Sequence, residues 1–271
     1  EANRTIFDRN SRSYSKKRRV AFDKKNSLRL VQRYENAIKI NFSHIDRFLD
    51  IGCGSGYLLL NLTSTGFMTQ SYGVDISLGM LKECRQYADN LGVKVGLTQG
   101  DVDFLPFRSN AFDFVIGHAI LHHLPEINSV FREVHRILKP GGICIFTEPT
   151  KTGSRIIASF MWLVWFLPLL VRQVFKSKVE RMIEIDTFAP ERLEDEAKIA
   201  GFKIFYTRPF AGFVSRIFYW LMDPISQRIS SECYHKIIDK IVDFLANVDK
   251  DIFSSFIPKG WFDEVLLFMQ K

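Results

Sequence analysis

Cysteine is scarce in this chain, and the way it is scattered excludes two chemistries. Four residues, Cys53, Cys84, Cys144 and Cys233, are spread over 271 positions. None has the spacing of a zinc or iron–sulfur ligand set, so no metal site is expected. They read as reduced thiols, which points to a cytoplasmic setting. A bilayer-spanning stretch is also lacking. The longest apolar run, Ile156–Val171 (IIASFMWLVWFLPLLV), has sixteen residues and contains Pro168, against about 20 for a spanning helix. The first forty residues hold no apolar core of the signal-peptide kind. The dinucleotide turn G-x-G-x-x-G does not occur in the segment where it would be expected. Acidic charge is in deficit, with 30 Asp and Glu against 37 Lys and Arg and a net charge of +7. The imbalance is local: residues 1–40 hold twelve basic and four acidic residues, a balance of +8, and the remainder is close to neutral. Such a segment suits an anionic membrane surface or nucleic acid, or is a solvated helix face. No aromatic-interleaved basic patch follows it, which speaks against a nucleic-acid partner.

What is present begins with Leu49-Asp50-Ile51-Gly52-Cys53-Gly54-Ser55-Gly56, an apolar run ending in an acid and then glycines at alternate positions. Arg47–Ile51 reads as a buried strand, and a helix follows Gly56. A glycine turn between strand and helix lets a polar ligand approach backbone N–H groups. Tyr72-Gly73-Val74-Asp75 is a second strand ending in an acid, 19 residues beyond Gly56. That carboxylate is placed to bind both hydroxyls of a ribose. Val93–Thr98 is a third strand, followed by Gly100-Asp101. Phe112–His118 is a fourth. A helix over Ile127–Leu138 runs into Lys139-Pro140-Gly141-Gly142, read as a sharp stop, and Ile143–Glu148 is a fifth strand. Strands alternating with helices imply a parallel sheet with right-handed crossovers.

The segments LDIGCGSG, GVDIS, GDVDFLPF, FDFVIGHAILHHL and EVHRILKPGG, in that order, resemble the class I S-adenosylmethionine-dependent methyltransferases. The likeness is greatest to the subgroup with the quinone-biosynthesis and other small-molecule enzymes. It covers roughly 44–150, resumes at Phe188-Ala189-Pro190-Glu191 through Gly201-Phe202, and returns at the last strand. It implies an α/β fold: a Rossmann-like, seven-stranded, mostly parallel sheet with the last strand antiparallel, and helical insertions as lids. The expected division is 1–43, a basic helical lid; 44–150, the cofactor-binding core; 151–186, an apolar helical insertion; 187–210, a core helix and strand six; 211–260, a second helical insertion; and 261–271, the last strand.

The resemblance also implies a site. Gly52, Gly54 and Gly56 would admit the methionine portion of S-adenosylmethionine, with Cys53 a small filler in the same turn. Asp50 would help to hold its amino group and Asp75 the ribose hydroxyls. Asp101 would accept from the adenine amino group while the Val102 N–H donates to a ring nitrogen. Ile76 and Met80 would pack on the adenine. A segment of form F-D-x-x-S-x-x-Y, here Phe7-Asp8, Ser11 and Tyr14, makes Tyr14 a further cofactor contact. His118 is expected to touch the cofactor. His118, His122, His123 and Glu148 are candidate bases, since an oxygen or carbon acceptor can need proton removal. The expected product is S-adenosylhomocysteine.

The acceptor is expected to be a hydrophobic small molecule or lipid, of quinone, isoprenoid or polyketide-like kind, because lids rich in Trp, Phe and Leu suit a greasy ligand. An RNA or protein methyltransferase using the basic N-terminal segment is the alternative. A non-catalytic cofactor-binding subunit is a third reading, against which the intact turn and both acids speak. Ile156–Val171 leaves three uses open: a core helix capping the site, an element lying in a membrane interface on the inner face, or a true span. Ile237, Ile238, Ile241, Val242 and Leu245 recur at helical spacing, so an amphipathic helix packed on the lid is expected there. The sequence carries no signal for an oligomeric state.

Overall fold

A computed structural model of the chain describes residues 22–271 except 43, 151–187, 213, 216, 219–221, 223–228, 230–231 and 253–256. The segment holding Tyr14 and the apolar run Ile156–Val171 lie outside the described residues. Helix α1, Lys24–Ile38, starts at Asp23, whose side chain accepts from the Asn26 N–H, and stops where Lys39 turns left-handed. An acid at the N-cap satisfies one of the donors that a helix start leaves open. Strand β1, Ile45–Ile51, leads through the glycine turn into helix α2, Tyr57–Thr63. Strand β2 is Met68–Asp75 and helix α3 is Leu78–Leu91, N-capped by Ser77. Strand β3 spans Gly96–Gln99 and β4 Phe112–His118. Helix α4, Asn128–Ile137, passes directly into strand β5, Leu138–Pro149. Helix α5 (Pro190–Ile199), strand β6 (Ile204–Ala211), helix α6 (Glu232–Asp251) and strand β7 (Glu264–Gln270) complete the described chain.

The seven strands form one sheet in the order β3-β2-β1-β4-β5-β7-β6. β1 pairs in parallel with β2 and β4, and β2 with β3. β7 runs the other way: the Gly141 N–H donates to the Lys271 carbonyl and the Lys271 N–H to that of Gly142, while at the far ends the Thr150 N–H donates to Asp263. The expected sheet, with its last strand antiparallel, is therefore the one observed. One expectation is corrected. Lys139-Pro140-Gly141-Gly142 is not a loop between helix and strand, because it already belongs to β5. Proline lacks an N–H and is tolerated at the start of a strand, so a sequence that stops a helix can begin a strand in the same step. β3 is likewise displaced, starting at Gly96 rather than Val93.

The described residues divide into two compact units. One comprises Glu1–Phe146, Glu194–Tyr206 and Leu267–Lys271, the other Thr147–Leu193 and Thr207–Leu266. The core of the first is built from the strands expected from their apolar runs. Phe42, Phe48, Leu49, Ile51, Phe112, Phe114, Val115 and Ile116 are all fully buried. Phe114 stacks on Phe48 with ring centroids 5.2 Å apart and meets Phe42 at 4.9 Å. In the second unit, the Thr150 hydroxyl donates to the carbonyls of Gly260 and Phe262. There the buried Asp249 carboxylate also accepts from the Val214 and Ser215 N–H groups, at 2.8 and 2.9 Å.

Candidate active site

Parallel pairing aligns the carboxyl ends of the central strands. Ile51 lies opposite Val74 of β2 and Gly117 of β4, and Asp75 lies opposite Gln99 of β3. Asp50, the glycine turn, Asp75, the Asp101 loop and His118 thus share one edge of the sheet, where open α/β folds bind ligands.

Asp75 joins three segments at that edge. Its Oδ2 accepts from the Gly54 N–H and its Oδ1 from the Ser77 N–H, both at 2.8 Å. Its carbonyl accepts from the Gly100 N–H at 3.1 Å. Asp50 is buried, and its Oδ2 accepts from the Leu59 N–H at 3.0 Å. Burial pushes its carboxyl well above the ordinary carboxylate range; the Leu59 bond opposes this and the neighbouring Asp75 charge adds to it.

The three glycines differ in what they do. A Cβ on Gly52 would lie 2.1 Å from Ile120 Cδ1, and one on Gly56 would lie 2.5 Å from Cys84 Sγ. Both are therefore required by packing of the chain on itself. Gly54, at φ +53°, has no described atom within 4 Å of the Cβ position. It is the glycine whose bare face opens outward. Cys53 is buried, and its thiol is pushed up by a hydrogen bond with Cys84 and by burial, so it suits a filler and not a nucleophile.

The remaining expected residues separate into two groups. Ile76 is half-buried and Met80 buried at the start of α3, beside Asp75. Asp101 is exposed; its Oδ1 accepts from the Asp103 N–H and its carbonyl from Phe104, each at 3.1 Å, while Val102 is buried behind it. His118 is half-buried, and the chain turns sharply after it through Ala119, at φ +54°. His122 is buried and its ring lies 3.9 Å from that of His123 in the turn Leu121–His123. Glu148 is buried near the end of β5, in the second compact unit.

Sequence reasoning passed over four residues. Ser77 caps α3 by accepting from Met80 at 3.2 Å, which its place before an apolar helical pattern could have signalled. Ile120 fills the space beside Gly52, and no local pattern announces that. Glu133 and Arg136 on α4 grip the loop after Asp101 through bonds that only the folded chain brings together.

A family model described as a methyltransferase domain matches residues 49–146. The chain is 32% identical over 182 residues to a demethylmenaquinone methyltransferase of Symbiobacterium thermophilum, covering 62% of this chain and 72% of that protein. It is 32% identical to one of Staphylococcus epidermidis, covering 65% and 76%. Among solved structures, phosphoethanolamine N-methyltransferase 2 of Haemonchus contortus, in complex with S-adenosyl-L-methionine, superposes with a TM-score of 0.58 at 20% identity. That match covers 91% of this chain and 52% of the other and shares the fold. With this fold, this glycine turn and these relatives, the chain belongs to the class I S-adenosylmethionine-dependent methyltransferases, in the group of the quinone-biosynthesis enzymes.

Proposed function

We propose that the protein transfers the methyl group of S-adenosylmethionine to a hydrophobic, quinone-like acceptor, and that the edge formed by Asp50, Gly54, Asp75 and Asp101 holds the donor. The observation that carries this reading is the open face of Gly54, beside a strand-end carboxylate already bonded to its N–H. The residues fit the group. Three acidic side chains, Asp50 within β1, Asp75 at the end of β2 and Asp101 just after β3, lie along one edge of the sheet, which suits a ligand bearing a sulfonium and an ammonium. When bound, S-adenosylmethionine supplies a methyl group that is already electrophilic.

The chain's own residues then have positioning work. Gly54 lets the methionine portion lie against the backbone, in a turn that Gly52 and Gly56 allow to close. Asp50 would help to hold the ammonium, a cation that favours the ionised form of its buried carboxyl. Asp75, a carboxylate at the end of β2, would accept from the two ribose hydroxyls. Asp101 would accept from the adenine amino group and the Val102 N–H would donate to a ring nitrogen, with Ile76 and Met80 as apolar contacts. Tyr14 stands as a contact expected from sequence. His118 would border the donor, and His122 and His123 are the other groups of the first unit able to take a proton from an acceptor; Glu148, a candidate base from sequence, belongs to the second unit. Alignment for in-line displacement with water excluded supplies most of the rate.

Three features support a greasy acceptor: the relatives' names, the uncharged run Ile156–Val171 and the aromatic-rich insertions. A peripheral site on the inner membrane face gains support from α6. Ile237, Ile241 and Phe244 are 52%, 37% and 65% exposed, with Ile252 just beyond the helix at 50%. They recur on one side, with the exposed Lys240 beside them. Apolar side chains and cations together suit an anionic interface. Among the described residues no helix is long and apolar enough to cross a membrane.

The test is methylation by the purified protein with labelled donor. Demethylmenaquinone in anionic vesicles and total RNA are offered separately, and products are identified by mass spectrometry. A methylated quinone supports the reading. Label in RNA alone would replace it with the alternative that the basic N-terminal segment favours.

A further inference from the structure

The loop from Asp101 to Phe107 is fastened to one helix by bonds unrelated to its own turn. The Arg136 guanidinium donates to the Phe107 carbonyl at 2.7 Å and to the Leu105 carbonyl at 3.0 Å. Glu133 Oε2 accepts from the Leu105 N–H at 2.8 Å. The two side chains also bind each other, Arg136 Nε to Glu133 Oε1 at 2.7 Å and Nη2 to Oε2 at 2.8 Å. Such a two-point fork fixes orientation as well as distance. The pairing is strong enough to lower the Glu133 carboxyl pKa and to raise that of Arg136. One helical turn earlier, the Ser129 hydroxyl donates to Asp103 Oδ1 at 2.5 Å. Asp103 in turn gives its N–H to Asp101 Oδ1. Every bond of this set lies within the first compact unit.

Helix α4 thus holds the loop at two places: Glu133 and Arg136 grip its far end at Leu105 and Phe107, and Ser129 binds Asp103, whose N–H meets the Asp101 carboxylate. Without the clamp, Asp101 is an exposed acid on a loop of seven residues. Its direction would then be set only by its own turn, and a carboxylate that wanders cannot discriminate bases. We infer that Glu133 and Arg136 are positioning residues for base recognition: they hold the Asp101 loop in the one orientation that selects adenine. The inference rests on the reading of Asp101 as the partner of the adenine amino group. Its content is that this selectivity is set from α4, by residues that do not touch the donor.

The test compares two ligands by calorimetry on the full chain: S-adenosylhomocysteine, and S-inosylhomocysteine, which carries a carbonyl in place of the amino group. The wild type is expected to prefer the adenine form by about tenfold or more, the scale of one hydrogen bond to a charged acceptor. Asp101→Asn should remove most of that preference. Arg136→Gln should reduce it to within about threefold while the protein melts as a folded domain, because a base preference responds to the aim of a carboxylate and not to stability. Glu133→Gln keeps an acceptor for the Leu105 N–H and loses the ion pair, so its preference should fall between those of the wild type and Arg136→Gln. Should Arg136→Gln fail to fold, Glu133→Gln and Ser129→Ala decide the matter by the same ratio. A full adenine preference in folded clamp variants, with Asp101→Asn impaired, overturns the clamp and leaves the adenine reading intact. A wild type indifferent to the base overturns the adenine reading, and the clamp with it.

Discussion

Strand β1 and helix α6 use apolar side chains in opposite ways. In β1, Phe48, Leu49 and Ile51 are wholly buried, and the one acid among them, Asp50, is buried with them. In α6, Ile238 and Asp249 are buried, yet Ile237, Ile241 and Phe244 stand exposed along one side. A strand at the centre of a parallel sheet is covered on both faces and spends its apolar residues on the fold. A long amphipathic helix with a second, exposed apolar stripe carries more apolar side chain than its own packing uses. The first region spends its apolar side chains on the core, and the second leaves some of them in solvent.

The largest expected effect sharpens that contrast. Phe48→Ala should cost about 3–5 kcal/mol in denaturant unfolding, because a fully buried ring leaves a cavity between Phe114 and its neighbours. A cost under about 1 kcal/mol would break the claim that β1 is committed to the core. Next comes the turn itself. Gly56→Ala places a Cβ against Cys84 Sγ at φ +90°, and strain plus overpacking should cost about 3 kcal/mol. Gly54→Ala meets no described atom, so about 1 kcal/mol of stability is expected to go, with donor affinity falling much further. Equal stability losses in the two variants would remove the distinction between packing and ligand glycines.

Asp75→Ala should weaken S-adenosylhomocysteine binding by about 2–3 kcal/mol in calorimetry. Some stability should go too, since the Gly54 and Ser77 N–H groups lose their acceptor. Unchanged affinity in a folded variant would rule out the ribose role.

Asp50 gives a prediction in pH. Its folded pKa is raised by burial, so the folded state holds its proton more tightly than the unfolded chain. Stability from this group is full below the unfolded value of 3.8 and is lost as pH rises through the raised folded value. Asp50→Asn should flatten that decline in thermal melts run from acid to neutral pH, and should weaken donor binding. A decline as steep as that of the wild type would show that the group does not titrate in this way.

The smallest effect is expected on α6. Phe244→Ser should change stability by no more than about 0.5 kcal/mol, as for an exposed site, yet reduce flotation with anionic vesicles at low salt. A large stability loss would mean that the stripe packs against protein after all, as the amphipathic pattern alone had led one to expect.

The parts legible in the sequence were those governed by neighbours along the chain. Phe112–His118 was read as a strand and is β4 at the same bounds, because a dense apolar run flanked by polar residues allows little else. The glycine turn between β1 and α2, and the places of the acids at 50, 75 and 101 at or beside strand ends, were readable because apolar runs and turns follow one another along the chain. Lys139-Pro140-Gly141-Gly142 misled, since proline and glycine stop a helix whether a loop or a strand follows. Ile120 beside Gly52, and the grip of Arg136 on Leu105 and Phe107, were not legible. They join residues 68 and about 30 positions apart, and no periodicity encodes a contact of that separation.

The sequence by itself determined the alternation of strands and helices, the family and the donor. Apolar period, glycine placement and strand-end charge are short-range properties that survive without coordinates. Only the tertiary structure decided which glycine faces outward, that the Asp50 carboxyl is pushed up by burial, and that α4 holds the Asp101 loop. Packing, desolvation and hydrogen-bond geometry depend on what distant segments bring to the same place.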